Sequence, residues 1–264
     1  SMVNLHRLAL LFEYQFFQPK KSISFRLISE NIASSPQKLA VLLAPSILNL
    51  NLYVYPPQYT NEPTIKVANS GNSTIPEGST LKWEVFTKST DTVVFQHNNS
   101  QSFFTKSDQQ FSYSKSVSQP LRYSISTSNT DLKDYETLDY FINVVKDEPP
   151  AIRIKMNRDT TAQERLYFYG QVSDDYGIRA LRLHYFATKS PNNISVLKLP
   201  LTQNNLQEFS YVFPNNLDLI EGADYSLYFE VIDNDRLHNF KSMRSRTFMY
   251  KQKTETQLEA SIIK

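Results

Sequence analysis

Three segments of the chain begin alike, Phe12-Glu13-Tyr14, Phe111-Ser112-Tyr113 and Phe209-Ser210-Tyr211, with starts 99 and 98 residues apart. A repeat of this length confines the chain to copies of one supersecondary pattern placed in series. Each start is followed at a similar distance by an alternating stretch: Ser24 to Ile28, Leu121 to Ile125, and Tyr225 to Phe229. Alternation of period 2 is the mark of a half-buried strand. Polar turns follow (Ser29 to Pro36, Ser128 to Asp134, Asp233 to Asn239), and last strands close each copy at Leu39 to Leu43, Leu138 to Val145 and Arg246 to Tyr250. A period of roughly 100 residues is the size of a seven-stranded immunoglobulin-like sandwich.

The expected fold is therefore all-β, tandem immunoglobulin-like β-sandwiches of which the first is incomplete. The 11 residues before Phe12 are too few for the strands that should precede it. The expected units are 1–44, the C-terminal half of a sandwich; 45–147 and 148–251, two full sandwiches; and 252–264, a tail leading into a helix start after Thr254. Pro149-Pro150 makes a stiff, extended joint between the full units. Trp83 alternates with Leu81 and Val85, which assigns it to a core face. In Leu166-Tyr167-Phe168-Tyr169 both faces are apolar, so alternation alone does not say which is wet. Starting at Ser1-Met2, the chain reads as a piece of a longer protein.

Composition removes most chemistry. There is no cysteine among the 264 residues, which excludes thiol nucleophiles, disulfides and cysteine-bound zinc, and five glycines form neither a dinucleotide fingerprint nor a P-loop. The charge of +2 and the scattered basic residues argue against a nucleic-acid partner. Lys241, Arg244 and Arg246, the one short basic run, read as the solvated face of a strand. No apolar stretch approaches the roughly 18 residues of a membrane helix. His6, His97, His184 and His238 lack metal-site spacing and read as solvent-facing, and no Gly-x-Ser-x-Gly turn accompanies them. The expectation is that the chain is not an enzyme and has no cofactor other than a candidate Ca²⁺.

Tyr55-Pro56-Pro57-Gln58-Tyr59-Thr60 and Ser173-Asp174-Asp175-Tyr176-Gly177-Ile178, with Pro76-Glu77-Gly78, Leu81-Lys82-Trp83 and Lys146-Asp147-Glu148-Pro149-Pro150 in order between them, resemble a family of large, membrane-anchored bacterial proteins of Bacteroidetes type, described as a domain of unknown function. The similarity covers roughly Pro45 to Phe186. It implies membrane helices outside this chain, immunoglobulin-like domains in the periplasm anchored to the inner membrane, and no assigned activity.

One constellation carries possible chemistry. The second-to-third and sixth-to-seventh strand loops of such a sandwich lie at the end where the chain enters. Asp174 and Asp175 fall in the first loop, Asp233 and Asp235 in the second, and the entering linker brings Asp147 and Glu148. Six converging carboxylates would suit Ca²⁺, which takes 6 to 8 oxygen ligands; the competing reading is that aspartates form turns through their own backbone. At the level of function the leading expectation is a spacer or interaction module whose partner is a protein or a cell-envelope component. The alternatives are a carbohydrate-binding module using exposed tyrosines, and an enzyme with a carboxylate site on a sandwich edge.

Overall fold

The computed structural model describes residues 6–8, 11–30, 32–159, 165–202, 204–254 and 256–257. The chain is all-β. It begins with short hairpins: β1 (His6–Leu8) pairs with β2 (Leu11–Glu13), and β3 (Ile23–Phe25), β4 (Ile28–Ser29), β5 (Ile32–Ala33) and β6 (Gln37–Leu39) form a single hairpin in which β3 pairs with β6 and β4 with β5. Ser34 bridges the two halves by returning its N–H to the Leu27 carbonyl and accepting the Leu27 N–H on its hydroxyl. The stretch read as a polar turn, Ser29 to Pro36, thus carries a strand pair. The strand read at Leu39 to Leu43 ends instead at Leu39.

The next strands are β7 (Ser46–Tyr55), β8 (Ile65–Ala68), β9 (Ser73–Pro76), β10 (Ser79–Lys88), β11 (Thr92–His97), β12 (Ser100–Phe103), β13 (Thr105–Ser107), β14 (Gln110–Val117), β15 (Leu121–Ser128) and β16 (Glu136–Val145). They form two five-stranded sheets, in the orders β13-β14-β10-β7-β8 and β12-β11-β15-β16-β9. The ten-residue strand β10 alternates regularly and buries Ser79, Leu81, Trp83, Val85 and Thr87 on one face, so Trp83 is core, with no exposed surface.

Contacts group the chain into two compact units, the first Ser1–Leu50, Glu84–Tyr113 and Arg122–Tyr140, the second Asn51–Trp83, Ser114–Leu121 and Phe141–Lys264. Within the first, Phe95 stacks on Tyr123 at 4.8 Å between ring centroids and meets Tyr113 at 4.9 Å. Asn129 donates to the Leu43 and Ser89 carbonyls, and the Ile47 N–H donates to Glu136. Within the second, β16 runs parallel to β9, Val145 opposite Pro76, and the Glu77 N–H closes onto the Val145 carbonyl. This pairing carries the chain past the Pro76-Glu77-Gly78 turn immediately before Asp147.

The second unit also holds the last sandwich. One sheet is β17 (Ala151–Arg158), β18 (Leu166–Ser173) and β21 (Leu206–Phe213); the other orders β20 (Ser195–Leu199), β19 (Ile178–Ala187), β22 (Asp224–Asp233) and β23 (Ser242–Arg244), with β24 (Phe248–Lys251) also on β22. Leu166, Phe168 and Val172 point inward and Tyr169 outward, which settles the wet face of β18. Phe229 sits at the centre, with Phe168 at 5.1 Å, Phe209 at 5.4 Å and Tyr211 at 6.4 Å. Gly170 is required here, because a Cβ would run into the Phe209 ring. Of the tail, Thr256 and Gln257 are helical; the remainder of the helix start expected there lies outside the described residues.

Candidate functional site: a lysine among buried aspartates

The acidic residues gather where the chain enters the last sandwich. Asp233 ends β22, and its Oδ1 accepts the Asp235 N–H at 3.2 Å. Asp235 caps the 3₁₀ turn Arg236–His238 by accepting the Leu237 N–H at 2.8 Å, as a short acidic side chain at this position should. Asn239 and Phe240 both have left-handed φ, and the chain then doubles back so that the Lys241 carbonyl takes the Asp233 N–H. This hairpin points Lys241 into the acids. Its Nζ bonds Asp147 Oδ1, lies 2.8 Å from Asp235 Oδ2, and is 3.6 Å from Asp233 Oδ2.

One carboxylate oxygen from each of Asp147, Asp233 and Asp235 lies within 4.8 Å of the others, and all three residues are buried. Lys241 occupies the space among the three that the sequence reading gives to Ca²⁺. The other three acids are placed differently. Asp174 accepts the Tyr176 N–H at 3.0 Å and the Gly177 N–H at 2.7 Å, an Asx turn that shapes the β18–β19 loop. Asp175 is exposed and accepts the Glu148 N–H at 3.3 Å, and the Glu148 side chain is exposed. Gly177 cannot be replaced freely, because its φ of +141° suits glycine and an added Cβ would meet Asn234 Nδ2 at 2.8 Å.

Asn234 ties the loops together: its amide donates to the Tyr59 carbonyl at 3.0 Å and the Tyr176 carbonyl at 3.1 Å. The Tyr59 and Tyr176 rings meet edge to face at 5.8 Å. His238 pairs with Asp235 at 2.5 Å and stands 3.7 Å from buried Glu77. Leu237 packs so closely on Gly78 that an added Cβ would overlap it.

The electrostatics follow from burial. Desolvation pushes the Asp233 carboxyl up to about 6, with Asp147 and Asp174 reinforcing the shift and Lys241 opposing it. Burial also raises Asp147 and Asp174. Asp235 is desolvated too, yet hydrogen bonds from Lys241, His238 and the Leu237 N–H hold it below the ordinary aspartate range. Lys241, despite its own desolvation, is held well above the usual lysine range by Asp147 and Asp235. Three oxygens, Asp147 Oδ2, Asp174 Oδ1 and Asp233 Oδ2, are buried without a hydrogen-bond partner.

Two sequence expectations need correction. Lys241 is not on a solvated strand face; its side chain is only 19% exposed. The available signal was charge balance, since an Asp-Asn-Asp loop that must bury needs a cation, and Lys241 closes the same hairpin. His184 is not solvent-facing either. It stacks on Tyr228 at 4.8 Å and bonds Glu230 at 3.0 Å, while Arg244 holds the other Glu230 oxygen at 3.1 Å. The His6 side chain lies outside the described residues.

Exposed tyrosines are spread out: Tyr14 follows β2, Tyr55 ends β7, Tyr135 precedes β16 and Tyr169 lies in β18. No helix of the described residues is long and apolar enough to cross a membrane.

No curated protein matches the chain. Among solved structures, a chimeric titin Z1Z2 is similar at 12% identity, covering 80% of this chain and 97% of its own, with a TM-score of 0.30. Titin domains A168-A170 are similar at 10% identity, with 89% and 75% covered and a TM-score of 0.29. Chicken CNTN1 domains FN1-FN3 are similar at 12% identity, with 88% and 75% covered and a TM-score of 0.27. A family profile matches residues 29–217, a span that contains Asp147, Glu148, Asp174 and Asp175 and stops before Asp233, Asp235 and Lys241. The chain belongs to the family described as Domain of unknown function (DUF4175).

Proposed function

We propose that the chain is a non-catalytic spacer and interaction segment of a membrane-anchored envelope protein, positioned in the periplasm, with a protein or another envelope component as its partner. The observation that supports this reading is the use made of the polar residues. Asp147 in the linker is bonded by Lys241 from the β22–β23 loop, Asp174 shapes its own turn, and Asn234 clasps Tyr59 and Tyr176. Side chains that would serve a reaction are spent on fixing how the chain enters a sandwich. A fixed entry is what a spacer needs, whereas a flexible tether would leave the linker free.

The chain lacks native cysteine, so two spin labels can be placed at will. Labels at Thr64 and Asn192, both exposed positions in the second unit, should give one narrow distance distribution by pulsed electron resonance. A broad distribution would overturn the spacer reading. Carbohydrate binding is not adopted, because the exposed tyrosines come from separate elements.

A further inference from the structure

We propose that Lys241 and Asp147 form an intramolecular amide bond, a covalent cross-link between the linker and the β22–β23 hairpin. The inference goes beyond the spacer reading and does not depend on it. Of the three carboxylates around the amine, Asp147 is the nearest. Its Oδ1 is in contact with Nζ, and the carboxyl's other polar neighbour is the Tyr59 hydroxyl, a neutral group. Asp235 is unsuited to be the acylated partner, since both of its oxygens are engaged, by the Leu237 N–H on one side and by His238 and Lys241 on the other. Asp233 lies within 4.8 Å, buried, with one oxygen unbonded. Burial favours its neutral form and its Oδ2 stands 3.6 Å from Nζ, so it is placed to take the ammonium's proton and return it.

The step closes on its own atoms. The Lys241 ammonium passes a proton to Asp233, and the freed Nζ lone pair attacks Asp147 Cγ to form the N–C bond. The C–O bond then breaks as that oxygen collects two protons, one returned by Asp233 and one from nitrogen, and departs as water. The ammonium's three hydrogens end as one amide N–H and one water. No oxidant, metal or co-substrate is needed. The neighbouring carboxylates keep the lysine protonated, which makes attack slow, but each molecule reacts once and the reacting groups are held together throughout its folded life. The product exchanges a buried ammonium and carboxylate for a neutral amide, while Asp235 keeps its bonds from the Leu237 N–H and His238.

Intact mass spectrometry of the denatured protein tests this. The expected result is a mass about 18 Da below that of the sequence, one water lost. A tryptic digest should yield the Asp147 peptide joined to that of Lys241, uncut at Lys241. Lys241→Met and Asp147→Ala should each restore the full mass, and Asp233→Asn should slow cross-linking about 100-fold if it acts as the acid. Wild-type protein retaining its full mass, with the two peptides separate after prolonged incubation at neutral pH, overturns the proposal. So does a water loss that persists in Lys241→Met, because the dehydration would then lie elsewhere. The wild-type mass decides even where a variant fails to fold.

Discussion

Replacing Asp233 by Asn should stabilise the protein at neutral pH although it removes a charge facing a lysine. Asp233 has no exposed surface, and burial lifts its carboxyl from 3.8 to about 6. A tenfold change in proton affinity is worth about 1.4 kcal/mol, so charging this group in the fold costs ~3 kcal/mol more than charging it in the unfolded chain. The sign follows from proton counts. Between these two pKa values the folded state keeps a proton that the unfolded state has released, so stability falls as pH rises, and the full penalty is present above pH 6 or so. Asn mimics the neutral acid and escapes that penalty. It brings one extra N–H into a buried site, at a cost of about 1 kcal/mol. The variant should therefore be more stable than wild type by about 2 kcal/mol at pH 7.5 and less stable by about 1 kcal/mol at pH 4. The groups facing Asp233 are Asp147 and Asp174, which raise its pKa, and Lys241 and the Asp235 N–H, which lower it. Amide formation would delete Asp147 and Lys241 charges together and leave desolvation, the largest cause, in place. Urea unfolding followed by circular dichroism across this pH range is the assay. Loss of stability at pH 7.5, or a pH profile identical to that of wild type, would refute the reasoning.

Three further outcomes are expected. Millimolar Ca²⁺ and excess chelator should give the same melting temperature, because the Lys241 nitrogen fills the space among the carboxylates; a calcium-dependent rise would instead support the ion site at Asp147, Asp233 and Asp235. Phe229→Ala should cost about 3 to 5 kcal/mol in calorimetry or denaturant unfolding, since it empties the centre of a core where four aromatic rings meet. Gly78→Ala should cost about 1 to 3 kcal/mol, through its φ of +78° and the overlap of the new Cβ with Leu237; a neutral result would show that Leu237 does not pack on this turn.

Regular alternation carried the fold into view wherever a strand was long and one face was dry. The stretches around Trp83 and Phe229 have that property, and both centres are fully buried. Short strands gave no such signal. β8, β9, β12 and β13 are three or four residues long, too few for period 2 to rise above chance, and their place is fixed by neighbours rather than by pattern. β23 was legible only as a solvated face carrying Arg244, because its three residues are all exposed and show no alternation. Tyr167 and Tyr169 were ambiguous because a tyrosine can keep its hydroxyl in water while its ring covers the sheet.

The acids of the site were legible because aspartate clusters are conspicuous, whereas their counter-ion was not, for a geometric reason. Lys241 is 94 residues from Asp147 and meets it only after the Asp235 cap, the 3₁₀ turn and two left-handed residues have reversed the chain. Sequence spacing records none of that reversal. A physical constraint nevertheless points to such a residue. Three buried carboxylates cannot all stay ionised without a cation or a proton, and here the burden is divided between both: Lys241 and His238 hold Asp235 charged, while Asp233 is pushed toward its neutral form. The loop that supplies Asp233 and Asp235 also supplies Lys241 and His238, so the hairpin carries most of its own compensation and the linker contributes Asp147 alone. That asymmetry makes Asp147 the group whose position depends on the contact, and so ties the entry of the chain to the end of β22.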